Sequence, residues 1–202
     1  MIPDSYLDRF ETKKYRSNNP VKRKLIRAFI DELHSLFVAA NPVQRVLEVG
    51  VGEGFISGYL SERFPEKQFV GVDLNAADIE LCRAKFPQIE THVGNIYELD
   101  FLEGPFDLVI CAEVLEHLDE PQRGLEQIAK LQPRRCIFTV PHEPFFMLSN
   151  LAVGKNITRL GNDPEHVNHF RPRSFAKLLG THFHVLEQSK SYPWLLALAQ
   201  PR

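Results

Sequence analysis

Arg45-Val46-Leu47-Glu48-Val49-Gly50-Val51-Gly52-Glu53-Gly54 reads as a buried strand that ends in an acid and runs into a turn of three glycines. Phe55-Ile56-Ser57-Gly58-Tyr59-Leu60 opens a helix directly behind it. Glycines at alternate positions let the backbone turn tightly and approach a ligand with no Cβ in the way. A strand-loop-helix of this kind opens a nucleotide-binding α/β unit, with the ligand across the strand's carboxyl end. Phe69-Val70-Gly71-Val72-Asp73 is a second apolar run, closed by a carboxylate nineteen residues past Gly54. That is where an acid accepts hydrogen bonds from ribose hydroxyls. The two runs predict binding of an adenosine-containing cofactor.

The same residues narrow the choice of cofactor. A dinucleotide fingerprint needs a third small residue for close helix-strand packing. Here Phe55 stands at that position and Gly54 falls one residue early. A glycine loop at a helix start favours anions, yet Glu48 lies two residues before Gly50. A carboxylate there repels phosphate and receives an ammonium or sulfonium. The lysine and Ser/Thr of a phosphate-binding P-loop are missing. S-adenosylmethionine, with its amino group, carboxylate and sulfonium, meets these requirements.

At four segments in order the chain resembles the class I S-adenosylmethionine-dependent methyltransferases, of the type found in ubiquinone biosynthesis. They are Val46 to Gly54, Gly71-Val72-Asp73-Leu74-Asn75, Phe106-Asp107-Leu108-Val109-Ile110-Cys111-Ala112-Glu113-Val114-Leu115-Glu116-His117, and Ile137-Phe138-Thr139-Val140-Pro141. The resemblance implies an α/β, Rossmann-like fold: a seven-stranded, mostly parallel sheet with helices on both faces and an antiparallel last strand. It implies that Glu48, Gly50, Gly52 and Gly54 hold the methionine end of the cofactor. Asp73 takes the ribose hydroxyls and Leu74 packs on the adenine. Where many relatives carry an acid for the adenine amino group, this chain has Gly94-Asn95-Ile96. Asn95 and Ile96 are therefore the expected adenine contacts.

Strand and helix patterns alternate along the chain, which predicts a parallel sheet covered on both faces. Strands fall near 45–49, 68–73, 90–93, 106–111 and 135–140, and helices near 55–64, 76–86 and 121–130. Pro172 to Leu179 reads as another helix, and Thr181–Ser189 with Trp194–Ala199 as a closing antiparallel hairpin. Residues 1–18 read as a polar arm with spaced aromatics. Asn19-Pro20 starts a helix, with an N-cap ahead of proline at the first helical position. Its apolar stripe runs from Val21 to Phe37, and the helix ends near Asn41-Pro42. The 202 residues suit one α/β core, so we expect a single domain over 1–202, with arm and helix in 1–40. Residues 141–171 are a long insert, expected with the arm to roof the acceptor pocket. Within it, Phe145-Phe146-Met147-Leu148 reads first as ordinary core and second as a lining for an apolar acceptor.

A formal net charge of −2 gives no global field for nucleic acid or an acidic membrane. The early basic residues Lys13, Lys14, Arg16, Lys22, Arg23, Lys24 and Arg27 read as a solvated helix face. No run approaches the ~20 apolar residues of a membrane span, and the N-terminus lacks a signal-peptide core. Cys82, Cys111 and Cys136 form no C-x-x-C pair and read as buried thiols. Together these point to a cytoplasmic chain of unspecified oligomeric state.

The expected activity is methyl transfer to an oxygen or nitrogen of a small-molecule acceptor. A sulfonium already carries the activated group, so the protein mainly aligns the acceptor and excludes water. A base is needed only for an acceptor that must lose a proton, and Glu113, His117 and His142 are the catalytic candidates. Glu113-x-x-Glu116-His117 followed by His166 or His169 is also similar to the metal site of the small-RNA 2′-O-methyltransferases. The absence of a basic surplus argues against an RNA substrate, and the favoured reading is metal-free. A non-catalytic cofactor-binding module is the remaining alternative.

Overall fold

The computed structural model describes residues 2–12, 18–152 and 166–202. Seven strands, β1 (Arg45–Val49), β2 (Gln68–Asp73), β3 (Glu90–Val93), β4 (Leu108–Ala112), β5 (Arg135–Pro141), β6 (Phe183–Ser191) and β7 (Trp194–Pro201), form one sheet in the order β3-β2-β1-β4-β5-β7-β6. The first five pair in parallel, and β7 runs antiparallel to both β5 and β6. The strand order reverses between β1 and β4, and a crevice forms outside the carboxyl ends there.

The helices are α1 (Asp4–Leu7), α2 (Pro20–Ala39), α3 (Phe55–Arg63), α4 (Ala76–Lys85), α5 (Pro121–Lys130), α6 (Phe145–Ala152) and α7 (Pro172–Leu179), with a 3-10 turn at Leu115–His117. Alternate strand residues feed two cores. Val46, Leu108, Ile110, Ile137 and Leu196 pack with the faces of α2, α3 and α4. Leu47, Val109, Cys136, Phe138 and Leu195 pack with α5 and α7 on the other side. In α2, Asn19 accepts hydrogen bonds from Val21 and Lys22 N–H, and Phe29, Ile30, Leu33 and Phe37 are buried. Each such side chain contributes about 1.5–3 kcal/mol.

Several sequence expectations shift. β4 begins at Leu108, because the Asp107 carboxylate turns to accept from the N–H groups of Gln44 and Arg45 at 2.8 and 3.0 Å. β6 begins at Phe183, because Thr181 and His182 N–H close the end of α7 on Leu178 and Leu179 carbonyls. The arm is not merely polar: Ile2, Tyr6, Leu7 and Phe10 are all buried. Nor are all the early basic residues a solvated face. Arg23 pairs with Asp4 at 2.7 Å and with Asp8, and Arg27 with Asp4, which straps the arm to α2. Lys13, Lys14 and Arg16 lie outside the described residues. Phe145-Phe146-Met147-Leu148 is no core segment. It starts α6, with Phe145 and Leu148 exposed and the other two half-buried. All three cysteines are free and buried.

No helix among the described residues is long and apolar enough to cross a membrane.

Candidate active site

The glycine turn leaves β1 with Gly50, Gly52 and Gly54 at φ of 80°, 50° and 85°, in the left-handed region that only glycine adopts at no steric cost. Two of the three are also places of close approach. A Cβ on Gly50 would lie 2.3 Å from Val114 Cγ2, so this loop abuts the segment that follows β4. A Cβ on Gly54 would lie 2.7 Å from Cys82 Sγ and 2.8 Å from the Phe86 ring. Gly54 thus supplies the close packing that a dinucleotide fingerprint assigns to its third small residue, with α4 as the neighbour. At Gly52 the same Cβ would meet nothing within 4 Å, which leaves this face of the loop open to a ligand.

Two carboxylates hold the loop. Glu48 is buried and accepts from Ser57 N–H at 2.9 Å. Burial pushes its carboxyl up to about 8, and the charge of Asp73 adds to the rise against the Ser57 hydrogen bond. Asp73, at the end of β2, accepts from Gly52 N–H at 2.8 Å and from Asn75 N–H at 2.9 Å. A carboxylate offers about four lone-pair sites, so a ribose hydroxyl can still donate to it. Leu74 follows with 72% of its surface exposed, an apolar plate beside the acid. Asn95 stands beyond β3 at Gly94-Asn95-Ile96, but its Oδ1 accepts from Tyr97 N–H at 3.0 Å. That oxygen is engaged in a turn, and the Ile96 side chain is buried in the core beneath it.

The catalytic candidates share the carboxyl edge of the sheet but fall into separate groups. Glu113, at φ 58°, leaves β4 with one oxygen 2.7 Å from Trp194 Nε1 and the other 3.4 Å from Thr139 Oγ1. A non-glycine residue in that region costs on the order of 1 kcal/mol or more, a strain that clusters at functional sites. His117 joins Glu116 and His166, each offering one donor atom, all within 4.8 Å of one another. His142 packs against Phe145 with ring centroids 4.8 Å apart. Burial lowers its pKa, and Lys190 adds to this, so the ring is neutral near pH 7. His169 lies 3.8 Å from Glu143 Oε1. Of the four groups in the metal-site resemblance, Glu113 is therefore engaged elsewhere, and His166 rather than His169 meets Glu116.

Residues 46–132 match the family described as a methyltransferase domain. This stretch is similar to S-adenosylmethionine-dependent methyltransferases. The chain is 30% identical over 129 residues to the mitochondrial ubiquinone biosynthesis O-methyltransferase of Saccharomyces cerevisiae, covering 59% of this chain and 41% of that one. It is 30% identical over 120 residues to a malonyl-[acyl-carrier protein] O-methyltransferase of Priestia megaterium, covering 58% and 43%. The chain thus spans under half the length of these curated relatives. Magnesium protoporphyrin IX methyltransferase of Synechocystis, solved with S-adenosylhomocysteine bound, superposes with a TM-score of 0.71 over 92% of this chain and 89% of that one. At 20% identity this likeness concerns the fold.

One residue of this glycine loop escaped sequence reasoning. Glu53 is buried, and its carboxylate accepts from the N–H groups of Glu11 and Thr12 at 2.8 Å each, from the Thr12 hydroxyl, and from Lys85 Nζ at 2.9 Å. Burial alone raises its pKa, but Lys85, Thr12 and the two N–H groups outweigh it and hold the carboxyl at about 2. The signal in the sequence was an acid inside a glycine turn with no ligand role to explain it. Trp194 was missed as the partner of Glu113, 81 positions away.

Proposed function

We propose that this chain transfers a methyl group from S-adenosylmethionine to an oxygen or nitrogen of a small-molecule acceptor. The observation that carries the reading is the pair of carboxylates on adjoining strand ends, Glu48 and Asp73, on either side of an open glycine turn. Glu48 is un-ionised to about pH 8 while the site is empty, and a ligand ammonium beside it favours the carboxylate form, which holds that cation and repels a pyrophosphate. The residues therefore fit S-adenosylmethionine better than a dinucleotide. Glu48 and the N–H groups around Gly50 and Gly52 would hold its amino-acid end, Asp73 its ribose, and Leu74 its adenine, with the Ile96 side chain left in the core. Asn95 keeps a secondary part, through its amide nitrogen.

When bound, the cofactor supplies an electrophilic methyl group. The chain's own work is to hold the acceptor in line and to keep water out. His142 and Glu113 are the groups suited to take a proton from a hydroxyl or an ammonium at the carboxyl edge. The exposed rings of Phe145 and Tyr192, 6.0 Å apart, favour an acceptor with an apolar or aromatic body. Residues 141–171 would cover it, within a single catalytic unit over 1–202. The small-molecule O-methyltransferases among the relatives support this acceptor class.

Calorimetric titration with S-adenosylhomocysteine, and with NAD in parallel, tests the assignment. Micromolar binding of the first and none of the second is expected. Asp73→Ala should weaken it by about 1.5–3 kcal/mol, the scale of a charge-assisted hydrogen bond. An unchanged dissociation constant in Asp73→Ala removes the ribose role. Binding without turnover of S-adenosylmethionine on any acceptor would leave a non-catalytic module.

A further inference from the structure

We propose that the amino edge of the sheet carries a second binding site, a basic cleft that takes a small molecule through its phosphate groups. The cleft has a volume of about 450 Å³, and Gln132, Arg134, Thr181, His182, Gln200 and Arg202 are among the residues that line it. That volume lies in the range of small-molecule sites. No Asp or Glu side chain lines the cleft. Among the described residues, neither Arg134 nor Arg202 is in an ion pair.

Backbone pairing brings these residues together. Arg134 stands just ahead of β5, its N–H donating to Phe106 O at 3.4 Å, and Arg135 N–H donates to Asp107 O at 3.0 Å. Across the hairpin, Phe183 pairs with Pro201 and His184 with Gln200. Arg202 N–H then donates to His182 O at 3.0 Å, which closes the far wall. Arg135 also orders the Gln200 amide. Its Nη1 donates to Gln200 Oε1 at 2.8 Å, which leaves the amide nitrogen as the end that can donate to a ligand.

The charge balance favours an anion. α5 and α7 both end at this cleft, since Gln132 and Thr181 follow their last turns. A helix carboxyl end carries about half a negative charge, so the two ends together offset one arginine and leave the cleft positive. The carbonyls at those ends are already taken by the main chain. Thr181 and His182 N–H donate to Leu178 and Leu179 O at 3.2 Å each, and Leu131 and Gln132 N–H to Ile128 and Ala129 O at 3.2 and 3.0 Å. The guanidinium N–H groups are thus left for a ligand, and guanidinium forks match phosphate oxygens in pairs. β5 runs seven residues from Arg135 to Pro141. At ~3.3 Å per residue the cleft lies about 20 Å from the carboxyl edge. Its ligand is therefore neither cofactor nor acceptor, and the site does not rest on the methyltransferase reading.

The test is calorimetric titration of the full-length chain with inorganic pyrophosphate at about 0.15 M salt, where exposed charges more than ~8 Å apart are largely screened. A parallel run contains saturating S-adenosylhomocysteine. One equivalent of pyrophosphate should bind in both runs with a micromolar dissociation constant. Arg134→Ala and Arg202→Ala should each weaken it about tenfold or more, the loss of a charge-assisted hydrogen bond. Both side chains are exposed, so these variants keep the core intact. Arg173→Ala removes an exposed arginine outside the cleft and should leave the affinity unchanged. No uptake of pyrophosphate, or equal weakening in Arg173→Ala, overturns the site and leaves a solvated basic surface. Displacement by S-adenosylhomocysteine would put the pyrophosphate at the glycine turn and overturns it too. A polyaspartate peptide that binds more tightly than pyrophosphate would replace the small molecule with an acidic protein segment.

Discussion

Glu48 carries the most chemistry per atom in the glycine turn, because its charge state depends on what lies beside it. Its folded-state pKa of about 8 lies above the 4.5 of an ordinary glutamate. Its contribution to stability is therefore complete below pH 4.5 and is lost as the pH rises through 8, with a slope of at most about 1.4 kcal/mol per unit. Glu48→Gln should flatten the alkaline limb of the ligand-free stability profile, measured by urea unfolding from pH 5 to 9. A ligand ammonium reverses the preference, since it favours the ionised carboxylate. Wild-type affinity for S-adenosylhomocysteine should then rise between pH 6 and 8 by up to about tenfold per unit, with a proton released on binding. A flat affinity profile over that range would sink the ammonium role. The acid and its place before Gly50 were legible in the sequence. Its protonation was not, because that follows from burial.

At the scale of elements, Glu53 and the His142–Phe170 bridge are among the contacts that fasten the arm and the insert. Glu53 ties the arm to the turn, and its depressed pKa makes the contact present above pH 4.5 and lost as the pH falls toward 2. Glu53→Ala leaves the largely buried Lys85 ammonium without its carboxylate, a loss of roughly 3 kcal/mol for a broken buried pair. Guanidinium unfolding at pH 7 and proteolysis ahead of α2 should both register it; an unshifted midpoint would mean the arm is a passenger. The insert is closed at its base, where His142 and Phe170 form a bridge and Glu143 N–H donates to Phe170 O at 2.8 Å. Replacing residues 145–164 with a short Gly/Ser linker should preserve S-adenosylhomocysteine binding and abolish methyl transfer. Transfer that survives the excision refutes the roof. The helices α2 to α5 and α7 were readable from caps, prolines and apolar spacing. α6 was not, since its exposed Phe145 and Leu148 break the rule that an apolar run faces a core.

For the whole molecule, strand order sets what the turn can reach. β1 lies between β2 and β4, so Glu48, Asp73 and Glu113 emerge from three adjacent strand ends along one crevice. A ligand spanning those ends stabilises the folded chain by mass action, about 2.7 kcal/mol at 100 times its dissociation constant. For a chain of this size that is a rise of roughly 5–10 °C in Tm. Differential scanning fluorimetry should show it with S-adenosylhomocysteine and not with NAD; equal shifts from both would undo the cofactor choice. The sequence by itself determined the strand-turn-helix at 45–60, the acids at the ends of β1 and β2, and the alternation that makes a parallel sheet. These follow from local physics: left-handed backbone needs glycine, and buried strands need unbroken apolar runs. Only the tertiary structure decided that Glu113 meets Trp194, that Glu53 anchors Thr12, and that His166 rather than His169 joins Glu116. Those partners stand 41 to 81 positions apart, and what joins them is the order of strands and the fit of packed faces, which no spacing along the chain records.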